Sequence, residues 1–215
     1  FASCSFTSKV DAGDGDKDKV LVRLITYLLD QGHFAPQDIN DEFSVRVYDD
    51  YINQLDPFKR YFYQSDIKEF ETYKTELDDQ LKAYDLSFFD MTHKRLIKRI
   101  EESKETFEKV LNKPFNYAKD EEFDSDYDEL EYVKNKREMK ERWRKQLKFS
   151  TIANYDEAIE NNKIMAEEDD SVELKSEKEL EAEARETTKK SLEELYTYME
   201  ERQRKDWFGV YINAV

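Results

Sequence analysis

At 215 residues the chain is long enough for one large domain or two small ones, each with a genuine core. Four Gly and three Pro are too few for a turn-rich sandwich or barrel, whereas 40% charged residues at helical spacing suit long solvated helices. The net charge of −16 argues against nucleic acid as a partner, since affinity for phosphates comes from Lys and Arg, and the single cysteine excludes an internal disulfide or a cysteine-built zinc site.

The fold class read from these features is all-α: an irregular multi-helix domain with helical hairpins and two acidic excursions. The 14 Tyr, 14 Phe and 2 Trp supply the core, because large aromatics bury much area from few residues. Phe1-Ala2-Ser3-Cys4 sets small residues before a cysteine, as at the end of a bacterial lipoprotein signal. Cys4 is therefore a candidate lipidation site and membrane tether, the alternative being a secretory-signal remnant or an arbitrary start. Residues 1–17 read as signal remnant or flexible tether. Asp14, Asp16 and Asp18 imitate the start of a calcium loop, but Lys19 and Ile25 stand where that loop needs Gly and Glu. No metal and no cofactor is expected.

From Asp18 to about Gln31, Val20, Leu21, Leu24, Ile25, Leu28 and Leu29 give one broad apolar face of a helix ended by Gly32. Asn40 is the predicted N-cap of a helix from Asp41, which carries Phe43, Val47, Tyr48, Tyr51, Ile52 and Leu55 and stops at Asp56-Pro57. An aromatic corner of Phe58, Tyr61, Phe62 and Tyr63 follows. A second helix, capped by Ser65 and running to about Tyr84, is expected to pack on the first as a hairpin. Asp85 or Ser87 starts the next helix, which ends before Pro114. His93 falls on its apolar stripe and reads as a core or rim histidine, since no second histidine or acid completes a metal motif.

Between Phe115 and Tyr132 acids alternate with aromatics, predicting an ordered excursion pinned by the aromatics, with disorder as the alternative. Helical spacing returns from about Asn135 to Ala153. There Arg137, Arg142, Trp143 and Arg144 form a candidate partner surface, against the reading of a solvated basic face that complements the preceding acids. Residues 154–176 read as an acidic loop, followed by a helix to about Arg204. The ending, Trp207 to Val215, is apolar and aromatic, and suggests a piece cut from a longer polypeptide. Residues 18–204 are thus assigned to one helical domain and 205–215 to the start of a connection. No Gly-rich phosphate loop or nucleophile elbow occurs, and Ser65, Ser87 and Ser103 read as a cap, a cap candidate and a helix residue.

Phe43-Ser44, Val47-Tyr48-Asp49, Tyr51-Ile52, Leu55-Asp56-Pro57, Lys59, Tyr61-Phe62, Ser65-Asp66-Ile67 and Phe70 resemble the N-terminal domain of bacterial tail-specific proteases, or carboxy-terminal processing peptidases. The resemblance continues through Leu77-Asp78, Pro114, Trp143 and Leu147-Lys148, and departs from the family pattern at 118–131 and 166–170. It implies a parent serine endopeptidase of the bacterial periplasm or envelope, with a PDZ domain that recognises apolar C-terminal tails and a Ser-Lys dyad. Neither part lies within these residues, so no catalytic residue is assigned. The implied role of this piece is a wall of a substrate-enclosing bowl. Its implied partners are the parent PDZ and protease domains, protein substrates, and an adaptor or a second copy. The alternative reading is a free-standing acidic helical adaptor or scaffold of the envelope.

Overall fold

The computed structural model describes residues 14–29, 38–168, 171 and 173–215. Among them are eight α-helices: α1 (Asp14–Tyr27), α2 (Asp41–Leu55), α3 (Gln64–Phe70), α4 (Leu77–Ala83), α5 (Ser87–Leu111), α6 (Lys136–Glu168), α7 (Glu177–Glu201) and α8 (Arg204–Ala214). Among the described residues β pairing is confined to an isolated parallel bridge between Tyr63 and Val133. The fold is all-α, as the composition predicts.

The chain forms two compact units. Unit 1 comprises Phe1–Pro57, Gln64–Ile97 and Glu201–Val215; unit 2 comprises Phe58–Tyr63 and Lys98–Glu200. Helix α5 therefore gives its first part to one unit and the remainder to the other.

In unit 1, the Asn40 side chain accepts from the Phe43 amide at 3.1 Å, making the predicted N-cap of α2. The predicted stripe of α2 is buried from Phe43 to Leu55. It packs against α4 and α8. Phe88, fully buried, is the centre of an aromatic cluster, with the Tyr48, Tyr51, Phe70 and Tyr73 rings at 5.8, 5.9, 6.5 and 5.7 Å. Tyr211 of α8 reaches Tyr51 at 5.0 Å and Phe89 at 5.8 Å. Residues 205–215, read as the start of a connection, lie almost wholly within α8 and bury Trp207, Phe208 and Tyr211.

Three expectations are corrected. The single helix predicted from Ser65 to Tyr84 is broken into α3, a 3₁₀ turn at Glu71–Tyr73 and α4. The Thr72 hydroxyl donates to the Glu69 carbonyl at 2.7 Å, and the break lets Tyr73 reach Phe88 and Lys74 pair with Asp49 at 2.6 Å. The loop predicted over 154–176 is helical as far as Glu168, because this stretch holds no Gly or Pro and carries four Glu and two Ala up to that point, good helix formers that sustain the helix despite the charge. The broad apolar face predicted for α1 is not a core face: Val22 is buried, whereas Val20, Leu21, Leu24 and Leu28 are exposed. The expected stop at Gly32 and the residues before Asp14, Cys4 included, lie outside the described residues.

In unit 2, Tyr61, Phe62, Tyr63, Trp143, Leu147, Leu180, Ala184, Leu192 and Tyr196 are buried. Phe107 stacks on Tyr196 at 5.0 Å, and the Tyr196 hydroxyl is hydrogen-bonded to Ser103. The hydroxyls of Thr151 and Thr188 meet at 3.0 Å, joining α6 to α7. Burial raises the phenol of Tyr196 well above its ordinary value.

Candidate partner surface

The residues singled out on α6 are held by a local N-cap. The Asn135 side chain accepts from the amides of Arg137 at 3.0 Å and Glu138 at 3.1 Å, while Glu138 accepts from the Lys134 amide at 2.9 Å. One turn on, α6 faces the aromatic corner. That corner was expected to fasten α2 to the helix after it, but its residues 58–63 belong to unit 2. Gln146 Nε2 donates to the Phe58 carbonyl at 3.0 Å, Arg142 Nη1 to Lys59 at 2.7 Å and Trp143 Nε1 to Arg60 at 3.0 Å. The corner is irregular, with Lys59 at φ 46°, so its carbonyls lack helical partners; three side-chain donors of α6 supply them to three consecutive carbonyls.

Three further basic side chains of α6, Arg144, Lys145 and Lys148, hold the acidic excursion. Arg144 grips Glu121 with two hydrogen bonds at 2.9 and 2.5 Å, and Lys148 adds a third at 2.7 Å. Hydrogen bonds from Arg144 and Lys148 hold the Glu121 carboxyl well below the usual carboxylate range, and the Glu121 carboxylate raises Arg144 in turn. Lys145 reaches the Glu122 carbonyl at 2.8 Å and Arg142 Nη2 that of Glu131 at 2.5 Å. Aromatics complete the attachment: Phe123 stacks on Phe149 at 4.9 Å and Tyr117 on Tyr155 at 5.5 Å. The excursion is ordered and pinned by its aromatics, as one of the two sequence readings had it.

Of the four residues proposed as a surface, Trp143 is fully buried, Arg142 and Arg144 are half-buried on intramolecular partners, and Arg137 is exposed. Sequence reasoning missed Glu121, one of eight acids in its run, and Gln146. The signal for Glu121 was the i, i+4 spacing of Arg144 and Lys148, which aims two cations at one point.

His93 lies in unit 1, half-buried and stacked on Phe89 at 5.6 Å. Burial and the nearby Arg204 push it down to about 4, opposed by Asp90. Arg204 is bonded to Asp90 at 2.7 Å and to Asp18, and lies over the Phe89 ring at 4.8 Å. Ser65 sits in the first turn of α3, and Ser87 opens α5 with its amide 3.0 Å from the Asp85 carboxylate. Among the described residues no group of three or more His, Cys, Asp or Glu is arranged to hold a metal ion, and no helix is long and apolar enough to cross a membrane.

These features define a helical protein domain whose aromatic and charged residues serve largely to fasten irregular segments to long helices. The pattern of the tail specific protease N-terminal domain matches residues 25–215, and the chain belongs to that family. It is also 35% identical over 89 residues to the tail-specific protease of Haemophilus influenzae. That match covers 39% of this chain but 13% of the relative's own length.

Proposed function

We propose that the chain is the non-catalytic N-terminal helical domain of a serine endopeptidase of the bacterial envelope that processes or degrades proteins from their C-terminal tails. Its part is that of a scaffold and wall enclosing substrate beside PDZ and protease domains elsewhere in the polypeptide. The observation that carries the reading is the family match across residues 25–215. Packing within unit 2 agrees with a scaffold: irregular segments are fastened by side chains to long helices. An adaptor or a second copy is a further partner in this reading, and a lipid on Cys4 would tether the protein to the membrane.

The test has two arms. Reading the coding sequence past Val215 should reveal a PDZ-like segment followed by a domain carrying Ser and Lys; a stop codon would support a free-standing adaptor instead. The whole product should cleave a peptide with an apolar C-terminus, and the 215-residue chain alone should not. Cleavage by the short chain would overturn the assignment. Mass spectrometry of the native protein decides the tether, since an unmodified Cys4 removes it.

A further inference from the structure

The acidic excursion is tied down at both ends. The Phe115 amide donates to the buried Glu181 carboxylate at 3.0 Å, and Val133, also buried, is bridged to Tyr63. Between those ends the segment contains no helix or strand, and its backbone bonds to itself locally, as from the Leu130 amide to the Asp126 carbonyl at 3.1 Å. Side-chain contacts hold it to α6 and the corner, and such a segment lacks the cooperative ladder that protects a helix.

The attachments are unequal. Phe123 stacks on Phe149 and Tyr127 meets Phe58 edge-on at 5.1 Å, yet Phe149 stays 57% exposed and Phe58 45%, so each pair shields only part of a ring. Lys59 and Lys145 reach the carbonyls of Asp128 and Glu122 at 2.9 and 2.8 Å in exposed hydrogen bonds, where water competes. Glu121 differs: its carboxylate is 12% exposed and gathers Arg144, Lys148 and Lys119, the last at 3.1 Å. Lys148 is itself buried. Its partners are Glu121, the Asn116 carbonyl at 2.8 Å and the Tyr117 ring at 5.7 Å, and all three belong to the excursion.

We propose that the excursion is a strap, latched over α6 by Glu121, that opens as a unit while the helices beneath it stay folded. Two effects act together at the latch. With Glu121 in place, charge-assisted hydrogen bonds in a partly desolvated site offset the entropy of ordering a chain that has no regular structure of its own. Without that charge, closure leaves the Lys148 ammonium buried against one carbonyl and one ring, whereas opening lets water reach it. The buried cation then favours the open strap. Because both ends are fixed, opening requires no change in α5, α6 or α7. The strap rests on contacts within unit 2 alone and is independent of the protease reading.

Chymotrypsin cleavage of the full-length protein, mapped by mass spectrometry, tests the strap, because the protease accepts Phe123 or Tyr127 only after the ring has left Phe149 or Phe58. In the unmodified protein, cleavage after these two residues should precede cleavage after Phe107 and Tyr196, which are buried in helices. Relative to an unstructured peptide, its rate should change by less than about twofold as urea rises to just below the unfolding transition, since local opening exposes little surface. A rate at Phe123 that rises in parallel with that at Phe107 overturns the strap. Glu121→Gln should speed cleavage after Phe123 and Tyr127 by about tenfold and leave Phe107 and Tyr196 within about twofold. Acceleration below about threefold, or equal at all four sites, overturns the latch. Glu122→Gln removes the same charge from a residue that is held through its carbonyl, and should alter no rate; an equal acceleration there would make net charge the cause and overturn the latch. Adding Lys148→Met to Glu121→Gln should slow cleavage of the strap again by at least about threefold, and an absence of slowing overturns the part given to the buried cation.

Discussion

Replacing Trp143 tests whether α6 acts through its side-chain donors or merely through bulk. The side chain is fully buried, its indole N–H donates to the Arg60 carbonyl at 3.0 Å, and the Tyr61 ring lies edge-on at 6.3 Å. Burying about 200 Å² of aromatic surface at about 25 cal/mol/Å² is worth about 5 kcal/mol, in line with the 3–5 kcal/mol typical of Trp→Ala in cores. Trp143→Phe keeps most of that area but leaves the Arg60 carbonyl without this donor, a loss of about 1–3 kcal/mol. Urea unfolding of the purified chain, followed by far-UV circular dichroism, measures both. With a slope of about 2 kcal/mol/M, the midpoint should fall by about 1 M for Trp143→Phe and by about 2 M for Trp143→Ala. An unchanged midpoint in the Phe variant would refute the role given to the hydrogen bond. A loss below about 1 kcal/mol in the Ala variant would refute the buried position itself.

Other residues give independent tests. Because the folded-state carboxyl of Glu121 is depressed, the stability it contributes should be complete above the unfolded value of about 4.3 and decline as pH falls below it; Glu121→Gln should remove that decline, read as acid unfolding by near-UV circular dichroism. His93 is likewise depressed, so its neutral form favours folding above about pH 6.5, and this contribution is lost as pH falls through about 4; NMR titration of its ring proton should give the low midpoint, and Arg204→Gln should raise it. Ser44 donates to Asp78 at 2.7 Å and accepts from the Asp78 amide at 2.8 Å, both buried, so Ser44→Ala should cost about 2 kcal/mol and lower Tm by several degrees in calorimetry. Gly209 lies inside α8 with nothing within 4 Å of where a Cβ would stand, so Gly209→Ala should raise stability by about 0.5–1 kcal/mol in the same experiment.

The sequence by itself determined what depends on near neighbours. The α2 stripe, its Asn40 cap and its end before Pro57 follow from helical periodicity, a side-chain acceptor and a missing amide proton, and each stands in the structure where the residues put it. The residues that carry the family pattern are read in the same way. Tertiary structure decided what depends on partners distant in sequence. Phe58 to Tyr63 look like a clasp for α2, yet donors more than 80 residues away claim their carbonyls and draw them into the other unit. The helix predicted after the corner breaks because Tyr73 and Lys74 gain Phe88 and Asp49, contacts that local propensity cannot register. Likewise the basic run of α6 has a local pattern suited to an outside ligand, and only the fold reveals that Arg144 and Lys148 close on Glu121 and Arg142 on the Lys59 carbonyl. The apolar periodicity of α1 was legible too, but periodicity identifies a face that favours burial without naming what covers it, and that is fixed by surfaces assembled from across the whole chain.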